Sequence, residues 1–318
     1  MYEKFFFLKE NPFHITPDPK FLYLSRKHRE AIDLLSFGIG EKKGFILLSG
    51  EVGTGKTTLC RALLEKLPKN AESALILNPV LSEEDLLKTI TADFGLRPGG
   101  NAVKDHLDEL NLFLLKKAAS GGAAVVIIDE AQNLNPATLE MIRLLSNLET
   151  EKEKLLQIVL VGQPELRDKL SLPELRQLNQ RVIVRYHLNP LDLQETRAYI
   201  ENRLKVAGGG NIDFREDAMR LVFEKSLGIP RMINIICDRA LTAAFIDEKR
   251  TIDSDIVKHA SSELEDDGYL EKDGKAPLPD TASAFSRYMA PIALSAFVLA
   301  FIAGLFIGPE VYNFTVHP

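Results

Sequence analysis

Two short stretches carry the residue types that phosphate chemistry needs. Gly50-Glu51-Val52-Gly53-Thr54-Gly55-Lys56-Thr57 has the spacing G-x-x-x-x-G-K-[ST]. A loop of this kind turns successive backbone N–H groups onto phosphate oxygens, and its glycines leave room for that approach. The helix expected from Thr58 onward adds its positive N-terminal end. Lys56 is placed to reach the β- and γ-phosphates of a nucleoside triphosphate, and the Thr57 hydroxyl to ligate Mg²⁺. The second stretch is an apolar run, residues 123–128, closed by Asp129-Glu130. At the end of a buried strand Asp129 would emerge beside the glycine loop and hold Mg²⁺ through water. Glu130 is then positioned to orient or deprotonate an attacking water. Together the two stretches point to triphosphate hydrolysis rather than binding alone.

Further polar residues fall where a hydrolysis switch needs them. Gln163 follows the apolar run 157–161. Its amide lies near the terminal phosphate if that run sits beside the strand that feeds the glycine loop. Arg176 and Arg181 precede the run 182–186, from which an arginine can reach a neighbouring subunit's nucleotide and stabilise transition-state charge. A surface salt bridge is the alternative use of each. Gly228-Ile229-Pro230-Arg231 opens a helix, with Pro230 suited to the first helical position. A cation in the first turn opposes the macrodipole, so Arg231 gains nothing locally, and a contact with nucleotide explains it better than a solvated surface position.

These residues require a scaffold, and the chain supplies the pattern for one. Five apolar, β-branched runs (45–49, 74–78, 123–129, 157–161 and 182–186) alternate with helical spacing over 58–67, 83–94, 104–119 and 136–148. Such alternation predicts a parallel sheet between helices. Beyond Pro190 the strand pattern stops. Helical spacing over 192–206, 215–226, 230–245 and 253–264 predicts a small helical domain.

Composition narrows the class. The 318 residues are 45% hydrophobic and 26% charged, which excludes a wholly disordered chain. A net charge of −6 argues against a general nucleic-acid coat, which needs excess cations. Cys60 and Cys237 both lie in apolar helical patterns, so neither a disulfide framework nor a cysteine-based zinc site is expected. The first ten residues place charges on both sides of a short apolar run and do not make a secretory signal. Residues 289–308 contain no charge, and at about 1.5 Å per helical residue they match a bilayer core. Lys272, Lys275 and Arg287 precede this segment and the tail after it has neither Lys nor Arg, which predicts the bulk of the chain on the cytoplasmic side. Ala296, Ala300, Gly304 and Gly308 recur every fourth residue, a stripe along which two such helices could associate.

The glycine loop, Asp129-Glu130, Gln163, Arg231 and a trailing helical lid together resemble the AAA+ ATPases. The resemblance implies Gln163 as sensor 1, Arg231 as sensor 2, Arg181 as the arginine finger with Arg176 as second choice, and Asn78 as polar partner of the catalytic glutamate. Met1-Tyr2-Glu3-Lys4-Phe5-Phe6, Asn11-Pro12-Phe13, Thr16-Pro17-Asp18-Pro19 and Leu160-Val161-Gly162-Gln163-Pro164-Glu165-Leu166 are similar to the ExeA/GspA-type general secretion pathway ATPases, whose relatives serve mannose-sensitive pilus and exopolysaccharide loci. The expected fold is therefore an α/β P-loop NTPase of the AAA+ type. It has a parallel five-stranded sheet between helices, a small helical lid and one C-terminal transmembrane helix. The expected division is an N-terminal segment 1–44, ATPase core 45–190, helical lid 191–265, flexible linker 266–287, transmembrane helix 288–308 and periplasmic tail 309–318.

The resemblance further implies ATP and Mg²⁺ as ligands, a homo-oligomer (a ring, a hexamer by family expectation), location in the inner membrane, and partners in secretion or pilus assembly. Family members normally continue into a peptidoglycan-binding domain; residues 309–318 are too few for one, so direct cell-wall binding is not expected. A DNA-associated ATPase, like the related transposition and replication-initiation proteins, is the alternative. The acidic balance and the apolar segment count against it. A scaffold that holds ATP without turnover is a third possibility.

Overall fold

The protein is described by a computed structural model covering residues 1–16, 18–77, 79–151 and 153–270. Its compact unit runs from Met1 to Asp266. An N-terminal strap leads into α1 (Arg26–Gly40), which Ser25 caps by accepting the His28 N–H. Then come β1 (Phe45–Gly50), α2 (Lys56–Lys66), β2 (Ala71–Ile76), α3 (Glu83–Asp93), α4 (Val103–Ala119), β3 (Ala123–Ile128) and α5 (Pro136–Leu145). They are followed by β4 (Leu156–Gly162), α6 (Glu165–Leu170), α7 (Arg176–Arg181) and β5 (Val182–Leu188). The remainder is α8 (Leu193–Val206), β6 (Asp213–Phe214), α9 (Glu216–Ser226), α10 (Pro230–Ile246), β7 (Thr251–Ile252) and α11 (Ser254–Asp266).

The main sheet has the order β2-β3-β4-β1-β5, every pairing parallel. Strands β1 and β4 are buried along their whole length, in keeping with their largely apolar sequences. Alternate residues feed two cores. Phe45, Leu47, Val126 and Leu160 pack with Leu86, Leu110 and Ile142 of α3, α4 and α5. Ile46, Leu48, Val125 and Val159 pack with Ile32, Leu35, Leu59 and Leu63 of α1 and α2. Each such side chain contributes about 1.5–3 kcal/mol by leaving water. Cys60 joins the second core and Cys237 is buried in α10; both are free thiols.

Several expectations shift. The second strand begins at Ala71 rather than residue 74, on an edge where only Ala74 and Ile76 are fully covered and alternation is weak. Asn78 lies outside the described residues. Helices α6 and α7 intervene between β4 and β5; they are six residues each, too short for helical spacing to register. Strands do not stop at Pro190: β6 and β7 pair in parallel, two residues apiece, which leaves no period to detect. Among the described residues no helix is long and apolar enough to cross a membrane. The segment 289–308, for which a span is expected, lies outside them.

Candidate functional site

In a parallel sheet the functional residues collect at the carboxyl ends of the strands. Here β1 releases the glycine loop, β3 releases Asp129-Glu130 and β4, lying between them, releases Gln163. The register pairs Ser49 of β1 with Gly162 of β4, and Ile128 of β3 with Leu160 of β4. Neighbouring strands thus deliver these groups to one edge.

The Thr57 hydroxyl donates to Asp129 Oδ2 at 2.5 Å, so the two expected magnesium-side oxygens already meet. Asp129 Oδ1 accepts the Glu130 N–H at 2.9 Å, and Glu130 takes left-handed backbone angles, φ 52° and ψ 35°. Lys56 opens α2 and donates from Nζ to the carbonyls of Gly50, at 2.8 Å, and Glu51, at 2.9 Å. Burial pushes its pKa below the usual lysine value, opposed by the Glu130 and Asp129 carboxylates.

Lys56, Thr57, Thr58 and Glu130 line a cavity of about 580 Å³. Its other wall comes from the strap (Phe21, Leu22, Tyr23) and from Tyr199, Asn234 and Arg231 of the helical segment. The cavity therefore has a polar phosphate-sized end and a more apolar end toward the strap.

Arg231 stands against the loop itself. Its N–H donates to Gly53 O at 3.3 Å, and a Cβ on Gly53 would come within 2.6 Å of the Arg231 Cβ. Gly53 also has φ +82°, so glycine is required there twice over, by conformation and by space. Gln163 donates from Nε2 to Glu130 Oε2 at 3.2 Å. Its amide thus rests on the glutamate.

The two finger candidates differ in setting. Arg181 closes α7 and its guanidinium donates to Ser146 Oγ at 2.6 Å, Asn147 Oδ1 at 2.7 Å and Arg143 O at 3.4 Å, at the end of α5 in its own chain. Arg176 is exposed at the start of α7.

Sequence reasoning missed three contributors. His28 donates from Nε2 to Thr54 O of the loop at 3.2 Å, while its Nδ1 faces the Ser25 hydroxyl at 2.9 Å. Burial lowers its pKa, so the neutral ring is favoured. Gln132 donates to Glu130 Oε2 at 2.6 Å. Arg203, buried in α8, anchors the strap through Pro12 O and His14 O and donates to Tyr199 Oη at 2.8 Å. Only the Ser25-x-x-His28 capping spacing gave a local hint; the other partners lie far apart in the chain.

A glycine loop after β1, an Asp-Glu pair closing β3, Gln163 at the end of β4 and Arg231 at the start of α10 sit on an α/β P-loop fold of the AAA+ type. The AAA domain family matches residues 39–170. The chain is 48% identical over 272 residues to general secretion pathway protein A of Aeromonas hydrophila, a match covering 84% of this chain and 50% of that protein. It thus spans about half the length of that relative. Among solved structures, Cdc6p from Pyrobaculum aerophilum aligns with TM-score 0.57 at 20% identity, covering 78% of this chain and 71% of that one. The Aeropyrum pernix ORC1 protein in complex with DNA aligns with TM-score 0.58 at 19% identity, covering 81% and 70%. Both likenesses are of fold. The chain thus carries an AAA domain and is similar to general secretion pathway protein A over most of its own length.

Proposed function

We propose that the protein binds ATP with Mg²⁺ and hydrolyses it, and that it does so as a membrane-anchored oligomer driving assembly or remodelling of an envelope machine. Type II secretion, pilus assembly and polysaccharide export are the settings considered. The observation that carries the chemistry is the 2.5 Å contact between Thr57 and Asp129 beside a cavity lined by both Lys56 and Glu130. Hard oxygens from a hydroxyl and one carboxylate suit Mg²⁺, which takes few protein ligands and completes its shell with phosphate and water. When bound, the ion neutralises charge on the β- and γ-phosphates.

The chain's own groups divide the remaining work. Loop N–H groups and the α2 N-terminus hold the phosphates. Lys56 exchanges its two carbonyl partners for phosphate oxygens. Glu130 takes a proton from the attacking water. Arg231, one residue into α10 and against Gly53, ties the helical segment to the state of the loop. Arg176, exposed, suits contact with a neighbouring copy. Arg181 could do so only by leaving its three partners on α5. Membrane anchoring is supported by the uncharged sequence 289–308, and the secretion setting by the likeness to general secretion pathway protein A.

Nucleotide binding by fluorescence and phosphate release at steady state test the chemistry. Lys56→Ala should abolish binding, and Glu130→Gln should retain binding while turnover falls about 100-fold or more. Undiminished hydrolysis by Glu130→Gln would remove that residue from the mechanism.

A further inference from the structure

The glutamate that closes β3 is held by a residue from its own turn. Gln132 lies in the 3-10 turn Ala131–Asn133 directly after Glu130. Its Nε2 donates to Glu130 Oε2 at 2.6 Å, while its Oε1 accepts the backbone N–H of Gln163 at 3.1 Å. A backbone N–H can only donate, so the amide cannot be reversed without setting two donors against each other. The Gln163 Nε2 reaches the same Glu130 Oε2 at 3.2 Å. Two amides therefore occupy one carboxylate oxygen. Among the described residues no donor reaches Oε1.

The surroundings hold Gln132 in place. Lys169 Nζ donates to the carbonyls of Gln132 and Leu134, the latter at 2.8 Å, which pins the turn to α6. At the end of β4, Gly162 makes room for the amide: a Cβ there would stand 2.7 Å from Gln132 Oε1. Glu130 itself sits in a left-handed backbone conformation that other contacts must maintain.

We propose that Gln132 is a positioning residue for hydrolysis: its amide, oriented by the Gln163 N–H, fixes the Glu130 carboxylate by Oε2 and leaves Oε1 to take the proton of the attacking water. The proposal rests on the hydrolysis reading above. It assigns to Gln132 no contact with nucleotide, so its loss slows turnover and leaves binding alone. Gln163 shares the work through its own amide, and the two substitutions act on one group, so their effects do not add.

The test uses the full chain with Mg-ATP, measuring nucleotide Kd and kcat separately. Gln132→Leu should lower kcat about 10- to 100-fold, the scale of a misplaced catalytic group, with Kd within about twofold of wild type. Gln132→Glu keeps the shape and still accepts the Gln163 N–H, but replaces the donor with a like charge facing Glu130. It should lower kcat further than Gln132→Leu. A merely structural role predicts the reverse order. Gly162→Ala leaves every clamp residue intact and should reproduce the kcat loss by displacing the amide, which keeps the proposal testable if Gln132→Leu fails to fold. Wild-type kcat in Gln132→Leu, equal falls in kcat and affinity, or a milder Gln132→Glu would each overturn the clamp while hydrolysis stands. A wild-type chain that releases no phosphate would instead overturn the hydrolysis reading.

Discussion

At the residue scale, the loop depends on groups whose protonation is set by burial. His28 bridges Ser25 and the Thr54 carbonyl, so the N-terminal cap of α1 and the phosphate loop share one imidazole. Its pKa lies below the ordinary histidine value because the ring is desolvated. The unfolded chain therefore takes up a proton at a higher pH than the folded protein does. Stability from this group is complete above about pH 6.5 and declines as pH falls toward the folded-state pKa. Calorimetric melting between pH 7.5 and 5 should show a Tm that drops on acidification. His28→Gln, which keeps a donor and cannot titrate, should flatten part of that slope. His187, also lowered by burial, supplies a residual slope in both proteins. An unchanged slope in His28→Gln would show that the ring does not titrate differently on folding.

At the element scale, a close backbone contact joins the end of the sheet to the helices after it. The Leu191 N–H donates to Gly228 O at 2.9 Å, and Gly228 has φ +73°. A Cβ at Gly228 would come within 1.9 Å of Leu191 O, a distance no side-chain motion relieves. Gly228→Ala should therefore cost about 2 kcal/mol or more, counting left-handed strain and displacement of the joint. Urea unfolding would measure it; a loss under 0.5 kcal/mol would mean the joint adapts freely. Legibility also divides at this scale. Strands β1, β3 and β4 are readable because both faces are buried, which writes a continuous apolar run. α8, α9 and α10 are readable because each buries one face. α6 and α7 are not, since one and a half turns carry no period, and Pro164 just before α6 and Pro173 in the turn ahead of α7 resemble loop signals.

At the scale of the whole molecule, the chain's beginning and its final third close the cavity together. Tyr2 Oη donates to Asp238 Oδ1 at 2.5 Å, and Asn11 Nδ2 donates to the same oxygen at 3.0 Å. Ile15, Thr16, Asp18, Phe21, Leu22 and Tyr23, a few positions onward, line the cavity beside the glycine loop. Burial and the adjacent carboxylate push the Tyr2 pKa up, so it remains a donor at every physiological pH. Asp238→Ala removes the acceptor of both bonds and leaves a buried hydroxyl unpaired, a cost of about 1–3 kcal/mol. We expect lower unfolding free energy and, because the strap loosens, a several-fold weaker ATP Kd with kcat less affected. Wild-type affinity in that variant would separate the strap from the proposed nucleotide site.

The phosphate loop, the Asp129-Glu130 pair and the αβα layering were determined by the sequence alone. Their signals are local, a fixed spacing of glycines or a strand buried on both sides, and each is complete within about ten residues. What only the tertiary structure decided is which distant groups complete the site. Gln132 finds Gln163 because β3 and β4 are neighbours, His28 meets Thr54 because α1 packs beside the loop, and Arg231 faces Gly53 because Gly228 sets the course of α10. Arg181, by position alone a candidate for reaching another subunit, turns to the end of α5 in its own chain. A side-chain hydrogen bond between residues tens of positions apart has no period and no spacing, so it is written in the packing of elements and not in the order of residues.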